Sequence, residues 1–321
     1  MADDHPDHAA LRDSLALLST EQTNERYPDL DLLSTAELVH AMNAEDAGVA
    51  AAVAAVGPQI TAAVDGIAAR MSVGGRLIYI GAGTAGRMGI LDASETPPTF
   101  GTDPELVVGL IAGGPTAVHT AVENAEDSAS AGENDLRALG LGARDSVVGI
   151  SASGRTPYAV GALEYAASVG AFTAGVSCNA GSALGQAASV AIDVVVGPEI
   201  LTGSTRLKAG TAQKMVLNML STITMVRLGK TYGNLMVDMR ATNEKLRARA
   251  ERTVMLATAA DAAAAAQALS DTEGSVKAAI LVLTTGITPL AATLLLAGHH
   301  GFLREAIADA PQITGRTADV A

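Results

Sequence analysis

Five short apolar runs, separated by stretches with the composition of helices, constrain the fold of this chain more than any other feature. The runs are rich in β-branched residues: RLIYI (76–80), LVVGLI (106–111), SVVGIS (146–151), FTAGVS (172–177) and AIDVVV (191–196). Buried strands that alternate with helices are typical of a parallel sheet covered on both faces. We therefore predict a doubly wound α/β fold, with ligands bound at the carboxyl ends of the strands.

The rest of the chain is predicted to be helical, apart from a polar N-terminal arm over residues 1–33. Ser34-Thr35-Ala36-Glu37 has the pattern of a capping box, which predicts a helix that begins at Thr35. Ala-rich helical sequence continues to about Met71, in pieces around Gly57-Pro58. The five strands then predict a flavodoxin-like domain, which together with its preceding helices spans residues 34–235.

Helices are also predicted after the last strand. One extends from about Ser204 to Leu228 and another from about Asn234 to Ala250. Shorter helices follow, for example over 274–284 and 288–298. We predict that residues 236–321 form a small all-helical C-terminal region.

Composition limits the partners and the compartment. The formal net charge of −13 argues against nucleic acid and anionic membranes as partners. The single cysteine, Cys178, excludes an internal disulfide framework and fits a reducing cytoplasm. The N-terminus is acidic and has no apolar core, unlike a signal peptide. We expect a soluble cytoplasmic protein in which local dipoles and a few well-placed cations hold any anionic ligand.

The loop after the first strand has a GxGxxG spacing, in Gly81-Ala82-Gly83-Thr84-Ala85-Gly86. A dinucleotide site would also need an acidic residue at the end of the next strand, but LVVGLI is followed by Ala112-Gly113-Gly114. The glycine pattern fits a tight turn as well as a binding loop. Gly83 and Thr84 are candidate contacts for a bound ligand.

The loop after the third strand is a stronger candidate for an anion site. It reads Ser151-Ala152-Ser153-Gly154-Arg155-Thr156-Pro157, with the proline in the first turn of a predicted helix. Backbone N–H groups at a helix start, together with three hydroxyls, can bind a phosphate without net positive charge. The alternative is a Ser-rich helix cap.

Longer blocks of the sequence resemble a known family. They are GRLIYIGAGTAGRMGILDASETPPTFG, AVENAEDS, VGISASGRTPY, GSTRLKAGTAQKMVLNMLST and GNLMVDMRATNEKL. The pattern from Ser151 to Thr156 resembles the phosphosugar loop of the sugar isomerase (SIS) domain, and the blocks together resemble the N-acetylmuramic acid 6-phosphate etherase family. The resemblance extends from the TEQTN stretch to the HHGFLREA stretch, which is nearly the whole chain.

The resemblance implies an activity and two catalytic residues. Members of the family cleave the lactyl ether of N-acetylmuramic acid 6-phosphate and release N-acetylglucosamine 6-phosphate and D-lactate during recovery of cell-wall sugars. They use no metal or other cofactor and form homodimers of SIS domains. The family's general acid lies in the block that here contains Glu95, and its general base corresponds to Glu126, the second Glu of Glu123-Asn124-Ala125-Glu126-Asp127.

The chemistry of ether cleavage explains why two carboxyl groups are needed. Direct hydrolysis of an ether at neutral pH is unfavourable because the leaving group is poor. When the sugar ring opens, C1 becomes an aldehyde and the hydrogen on C2 becomes acidic. A base can then form an enolate that expels the lactyl oxygen from C3 if an acid protonates that oxygen. The two carboxyl groups must therefore differ in protonation state.

The positions of Glu95 and Glu126 in the sequence also support a catalytic role for each, independently of the resemblance. Glu95 stands at the end of a predicted helix, because Thr96 before Pro97-Pro98 is disfavoured in helical geometry. The negative end of a helix favours a neutral carboxylic acid, which suits a general acid. Glu126 is predicted to share a helical face with Glu123, and a like charge raises the pKa of a carboxylate. A solvated run of charges is the alternative for Glu126.

The position predicted for Glu95 raises a difficulty. A helix of about ten residues from the Gly83 loop would carry Glu95 roughly 15 Å away from that loop. The helix could be shorter, or Glu95 could return through the Pro97-Pro98 turn, or Glu95 could serve the site of a neighbouring subunit. The sequence leaves all three open.

Other residues have weaker claims to the site. The predicted start of a long helix contains Ser204, Arg206 and Lys208. Of these, Lys208 or Arg206 is a candidate to bind an anionic group of the substrate. The alternative is ordinary helix capping and surface charge. Arg87 is a candidate for the lactyl carboxylate. His299-His300 has no spaced ligand partner that would indicate zinc, so we predict a loop or interface role for it.

Two other functions stay open. A non-catalytic SIS sensor, like the glucokinase regulatory protein, would bind a sugar phosphate and regulate a partner, although that protein carries two SIS domains and this chain has room for one. An aldose–ketose isomerase would share the C2 deprotonation but would need no acid at an ether oxygen. We predict the phosphosugar lyase.

Overall fold

The computed structural model describes residue 13 and residues 15–239 and 243–316, with only the backbone of 311–316. The first part of the predicted arm, residues 1–12, lies outside the described residues. The chain divides into two compact units. The first consists of Met1–Ser94 and Glu105–Ser221, and the second of Glu95–Pro104 and Thr222–Ala321. The predicted domain boundary between residues 235 and 236 falls inside the second unit.

The first unit contains the predicted five-stranded parallel sheet. Its strands are β1 (Leu77–Gly81), β2 (Val107–Ile111), β3 (Ser146–Ile150), β4 (Phe172–Ser177) and β5 (Val190–Asp193). They are all parallel in the order β2-β1-β3-β4-β5. Every residue of β1 and β3 is buried, as expected for central strands covered on both faces. The predicted doubly wound fold is confirmed.

Helices before and between the strands cover the sheet. They are α1 (Thr35–Asp46), α2 (Val49–Ala55), α3 (Gly57–Met71), α4 (Gly83–Phe100), α5 (Thr116–His119), α6 (Ala129–Ala138), α7 (Pro157–Ser168) and α8 (Ala183–Gln186). Helix α3 packs on β3, β4 and β5, and α7 packs on β1, β3 and β4. The predicted capping box is present, since the Ser34 hydroxyl accepts from the Glu37 N–H and the Glu37 carboxylate accepts from the Ser34 N–H.

Helix α4 corrects the prediction that a helix ends before Pro97. It continues through Pro97 and Pro98 to Phe100. The φ angle of proline is itself helical, so a proline removes hydrogen bonds to the preceding turn without preventing the next one. That next turn forms, because the Gly101 N–H donates to the Pro97 carbonyl over 2.9 Å. The helix ends at Phe100 and is followed by Gly101, whose φ of 62° is typical of a glycine that terminates a helix.

The long helix after the sheet also differs from its prediction. Helix α9 spans Lys208–Arg227, so Ser204 precedes it. Its first turn is capped by a distant carboxylate: Glu199 accepts hydrogen bonds from the backbone N–H groups of Lys208 and Ala209 over 3.0 and 2.9 Å. A cap supplied from outside the helix leaves no local sequence signal, which is why the predicted start was wrong.

The second unit is mostly helical, as predicted. A small hairpin of β6 (Thr231–Tyr232) and β7 (Leu235–Met236) replaces the start of the helix predicted from Asn234. The helices that follow are α10 (Glu244–Thr258), α11 (Ala262–Asp271), α12 (Val276–Thr285), α13 (Pro289–Gly298) and α14 (Leu303–Arg316). Their aliphatic side chains form one buried cluster that includes Val254, Ile280, Leu281 and Leu303.

No single helix among the described residues is long and apolar enough to cross a bilayer. Two bent pairs of helices are long and apolar enough when each pair is taken together: Thr35–Ala55 with Gly57–Met71, and Val276–Thr285 with Pro289–Gly298.

The close packing of α6 on α7 gives a test of the fold. A Cβ added at Gly132 would lie 2.0 Å from the Tyr158 carbonyl oxygen. We expect Gly132→Ala to lower the free energy of unfolding by about 1–3 kcal/mol, because the backbones must separate. Gly48→Ala is the control, since its Cβ would lie at an ordinary 3.7 Å from the nearest atom. Equal melting temperatures for the two variants would contradict this packing.

Candidate functional site

The carboxyl ends of β1 and β3 place two polar loops side by side. The strands are neighbours, and Gly81 at the end of β1 pairs with Ile150 at the end of β3. A cavity of about 860 Å³ opens at this edge of the sheet. It is lined by Leu15, Glu21, Ala82, Gly83, Thr84, Ala85, Asn124, Glu126, Asp127, Ser151, Ala152, Ser153, Arg155, Thr156, Pro157, Thr205 and Gln213. All of these residues belong to the first unit.

Glycines make the loop after β1 compact. A Cβ at Gly86 would lie 2.7 Å from the Gly81 carbonyl oxygen and 2.6 Å from the Ile111 side chain, so only glycine permits this approach of α4 to the sheet. Gly83 has a φ of 54°, in the left-handed region. Gly83 and Thr84 therefore begin α4 at the cavity wall, with the first-turn N–H groups of the helix beside it.

Three hydroxyls converge in the loop after β3. The Ser151 Oγ lies 2.8 Å from the Thr156 Oγ1 and 3.3 Å from the Ser153 Oγ. Gly154 closes the turn, because its N–H donates to the Ser151 Oγ over 3.0 Å and its φ is 70°. Thr156 is the N-cap residue of α7, yet its side chain makes no capping hydrogen bond to that helix. These hydroxyls and the start of α7 can together surround an oxyanion.

Asn179, in the loop after β4, connects the N-terminal arm to this loop. Its amide nitrogen donates to the Ala152 and Ser153 carbonyls over 3.1 and 3.3 Å and to the Thr20 Oγ1 over 3.0 Å. Its amide oxygen accepts from the Ser19 hydroxyl over 2.9 Å. These contacts fix the arm beside the loop, where Glu21 reaches the cavity.

The neighbouring Cys178 plays no part in the cavity. Burial raises the pKa of its thiol to about 12, with a further contribution from the Glu199 and Asp193 carboxylates. The thiolate is the nucleophilic form of cysteine, so Cys178 is inert at neutral pH.

Glu126 lies in the cavity wall, on a short 3₁₀ turn over Ala125–Asp127, and its side chain is exposed. The prediction that Glu123 and Glu126 share a helical face is wrong. Asn124 between them has a φ of 60°, which interrupts any helix. Asp127, rather than Glu123, is the acidic neighbour that also lines the cavity.

Glu95 lies within α4 and not at its end, so the helix-end argument for a neutral Glu95 does not hold. It follows Gly83 by twelve residues along an unbroken helix, so it lies roughly 18 Å from Gly83 along the axis. Two of the three positions left open by the sequence are thereby excluded: the helix is not shorter, and no proline turn brings Glu95 back. The Glu95 side chain is exposed and is not among the residues that line the cavity.

Asp92, one turn before Glu95, anchors α4 in the first unit. Its carboxylate accepts from the Tyr79 hydroxyl on β1 over 2.9 Å and from the Asn218 amide on α9 over 2.7 Å. Burial raises the pKa of Asp92, and these hydrogen bonds oppose the rise. The direction of the helix that carries Glu95 is therefore fixed by a buried polar network.

Lys208 is buried, and its ammonium group lies 2.5 Å from the Glu45 Oε2. Arg26 pairs with the same carboxylate. Burial alone would raise the pKa of Glu45, but hydrogen bonds from Lys208 and Asn24 and the charges of Lys208 and Arg26 hold it below the ordinary value. The charge of Lys208 is thus balanced inside the protein.

The other candidate cations are engaged or exposed. The Arg87 guanidinium donates to the Ala117 and Val118 carbonyls at the end of α5 over 2.8 and 2.9 Å. Arg206 is exposed, and neither it nor Ser204 lines the cavity. His299 lies 3.3 Å from the Asp309 carboxylate. Within the described ranges, no group of His, Cys, Asp and Glu residues could hold a metal ion.

The structure brings most of the predicted site residues together. The predicted residues that line the cavity are Gly83, Thr84, Ser151, Ser153, Thr156 and Glu126. Those that do not are Glu95, Gly154, Ser204 and Lys208. Among the lining residues that were not predicted from the sequence are Glu21, Asp127 and Gln213. A signal existed for Gln213, because it is a polar residue among the apolar positions Ala212, Val216 and Leu217 of α9.

The contribution of the Lys208–Glu45 ion pair to stability can be tested by measuring how stability depends on pH. The folded-state pKa of Glu45 lies below its ordinary value of 4.5, so the pair stabilises the protein above that pH, and the stabilisation is lost as the pH falls through the lower folded-state pKa. Glu45→Gln should therefore cost about 3–5 kcal/mol at pH 7, where it leaves a buried lysine unpaired. Melting temperatures of the variant and the wild type should converge towards pH 3.

The control is Glu133→Gln, which removes an exposed helical pair with Arg137. It should leave the melting temperature nearly unchanged at either pH, because an exposed ion pair contributes little to stability. A pH-independent loss in Glu45→Gln would contradict the assignment.

The chain is similar to known protein families and structures. Two family models match: the glucokinase regulatory protein N-terminal SIS domain over residues 59–167 and the SIS domain over residues 118–223. A phosphoheptose isomerase structure from Francisella tularensis covers 60% of this chain and 100% of its own at 18% identity and a TM-score of 0.47.

Sequence relatives are much closer. The chain is 60% identical to a Streptomyces avermitilis protein over 95% of this chain and 98% of the relative. It is 57% identical to a Cronobacter sakazakii protein over 92% of this chain and 99% of the relative. Both are named N-acetylmuramic acid 6-phosphate etherase.

Proposed function

Because this chain belongs to the N-acetylmuramic acid 6-phosphate etherase family and is an enzyme, we propose that it cleaves the D-lactyl ether of N-acetylmuramic acid 6-phosphate. The products are N-acetylglucosamine 6-phosphate and D-lactate, formed in the cytoplasm during recycling of cell-wall amino sugars. One observation carries the proposal. Three hydroxyls at a helix start lie in the same cavity as Glu126, so a phosphate and a base can act on one sugar.

The 6-phosphate binds in the loop after β3. Ser151, Ser153 and Thr156 donate hydroxyl hydrogen bonds to it, and the first N–H groups of α7 complement its charge. Gly154 keeps the turn compact, since a Cβ there would lie 2.3 Å from the Ser182 Cβ. Lys208 is left out of the phosphate site, because Glu45 already balances its charge.

The sugar extends from the phosphate towards Gly83 and Thr84 on the neighbouring strand's loop. Glu126 removes the proton from C2 of the ring-opened sugar, and the electron pair of that C–H bond forms the enolate. The enolate forms a C2–C3 double bond as the bond from C3 to the lactyl oxygen breaks. Water then adds across the double bond, with its hydroxyl on C3 and a proton on C2.

Glu95 donates the proton to the departing lactyl oxygen, and it does so in the site of the partner protomer. The length of α4 between Gly83 and Glu95 supports this assignment, because one continuous helix separates Glu95 from the loop of its own chain. The proposal requires a homodimer in which each site takes Glu126 from one protomer and Glu95 from the other.

The match to the N-terminal SIS domain of the glucokinase regulatory protein favours one alternative function, that of a non-catalytic receptor. Such a receptor would bind the sugar phosphate and release no lactate. A D-lactate assay with N-acetylmuramic acid 6-phosphate separates the two functions, since the isolated protein must release lactate if it is the lyase.

Isotope exchange separates the roles of the two glutamates. In D₂O we expect Glu126→Gln to lose exchange of the C2 hydrogen and lactate release together, by about 10²–10⁴-fold, since the base is removed. Glu95→Gln should lose lactate release while some exchange at C2 continues. NMR of the substrate and a lactate assay measure the two steps.

The matched control is Glu123→Gln, which changes an exposed acidic residue in the same segment that does not line the cavity. It should behave like the wild type. Normal C2 exchange in Glu126→Gln would remove Glu126 as the base, and unchanged lactate release in Glu95→Gln would remove Glu95 as the acid.

A further inference from the structure

Gln213 is a buried polar residue in the wall of the cavity with an unused hydrogen-bond donor. Its side chain is 1% exposed, it lines the cavity, and its Nε2 has no hydrogen-bond partner among the described residues. Two other buried side-chain atoms in the described part of the chain share this property, Ser146 Oγ and Thr224 Oγ1, and neither residue lines the cavity. Gln213 alone of the three is placed to meet a ligand.

A buried amide without a partner costs free energy that a leucine or methionine at the same position would avoid. Native proteins pair the large majority of buried polar side-chain atoms, so each exception calls for a physical explanation. At a cavity wall that explanation is a ligand whose acceptor atom completes the hydrogen bond.

The surroundings of Gln213 locate the part of the ligand that it faces. Gly210 lies three residues earlier on the same face of α9, and a Cβ at Gly210 would be 3.7 Å from the Thr84 side chain. Thr84 belongs to the loop after β1, whereas the phosphate loop follows β3. Gln213 therefore meets the sugar at the end away from the phosphate.

The charged side chains that line the cavity limit the kind of ligand atom that can accept a hydrogen bond from Gln213. The side chains that line the cavity include Glu21, Glu126 and Asp127, and Arg155 in the phosphate loop is the one Lys or Arg among the described lining residues. These acidic side chains repel a further anionic group in this part of the cavity, and a primary amide can donate to a neutral carbonyl instead. The substrate of the proposed reaction carries such a carbonyl on its 2-acetamido group, which is attached to the carbon that Glu126 deprotonates.

We propose that Gln213 is a specificity-determining residue that donates a hydrogen bond from Nε2 to the carbonyl oxygen of the substrate's 2-acetamido group. The proposal rests on the proposed function, which supplies the acetamido sugar. It assigns to this enzyme a means of selecting 2-acetamido sugar phosphates over simple hexose phosphates. A site that is built to hydrogen-bond one group rejects an analogue that lacks it, because its own polar atom then stays unpaired.

The test compares two ligands that differ at C2, N-acetylglucosamine 6-phosphate and glucose 6-phosphate. Titration calorimetry should show that wild-type protein binds the acetamido sugar roughly tenfold more tightly or better, the worth of one well-formed hydrogen bond. Gln213→Met keeps the length of the side chain and removes its polar atoms. It should lose roughly that factor for the acetamido sugar and none for glucose 6-phosphate.

Thermal unfolding provides the readout that separates binding from structure. Without ligand, Gln213→Met should melt at the wild-type temperature or above it, since an unpaired buried donor has been removed. The control is Ser146→Ala, which removes another unpaired buried atom at the opposite end of β3. It should leave both affinities unchanged.

Three results would overturn the proposal: equal affinity of the wild type for the two sugars, equal losses for both sugars in Gln213→Met, or a clear fall in the melting temperature of the ligand-free variant. If the variant does not fold, the preference of the wild type for N-acetylglucosamine 6-phosphate over glucose 6-phosphate still tests the proposal. Lactate release is measured separately, so a wild type that discriminates the sugars but releases no lactate contradicts the proposed lyase and leaves the role of Gln213 intact.

Discussion

The contact between Gly81 and the carbonyl oxygen of Ile150 is the constraint on which the candidate site depends. A Cβ at Gly81 would lie 2.7 Å from that oxygen, so the ends of β1 and β3 can approach this closely only with glycine in β1. Since Gly81 pairs with Ile150, the loops after β1 and β3 begin side by side at the same edge of the sheet. The first turn of α4 and the Ser151–Thr156 loop thereby become two walls of one cavity.

In the proposed function, neutral groups do most of the binding in this cavity. The protein carries a formal net charge of −13, and its buried lysine beside the site is already paired with Glu45. Hydroxyls, helix-start N–H groups and the Gln213 amide can hold a phosphosugar without free cations.

The sequence predicted the features that depend on local pattern. Apolar β-branched runs located the five strands, and hydroxyls after the third run located the loop of Ser151, Ser153 and Thr156. Features that depend on distant partners could not be predicted in this way. The Glu199 cap moved the start of α9, Glu45 paired with Lys208, and the left-handed Asn124 separated Glu123 from Glu126. None of these contacts leaves a periodic signal in the chain.

Because α4 is unbroken between Gly83 and Glu95, the proposed role of Glu95 as the acid depends on a dimer in which Glu95 reaches the site of the partner protomer. Mixing inactive Glu95→Gln and Glu126→Gln protomers, after dissociation and reassociation, tests the shared site most directly, because each mixed dimer would contain one intact pair of glutamates. We expect lactate release to return to about a quarter of the wild-type rate in an equimolar mixture of freely exchanging dimers. Mixed dimers that form, as seen by native mass spectrometry, and stay as inactive as the parents would contradict the account.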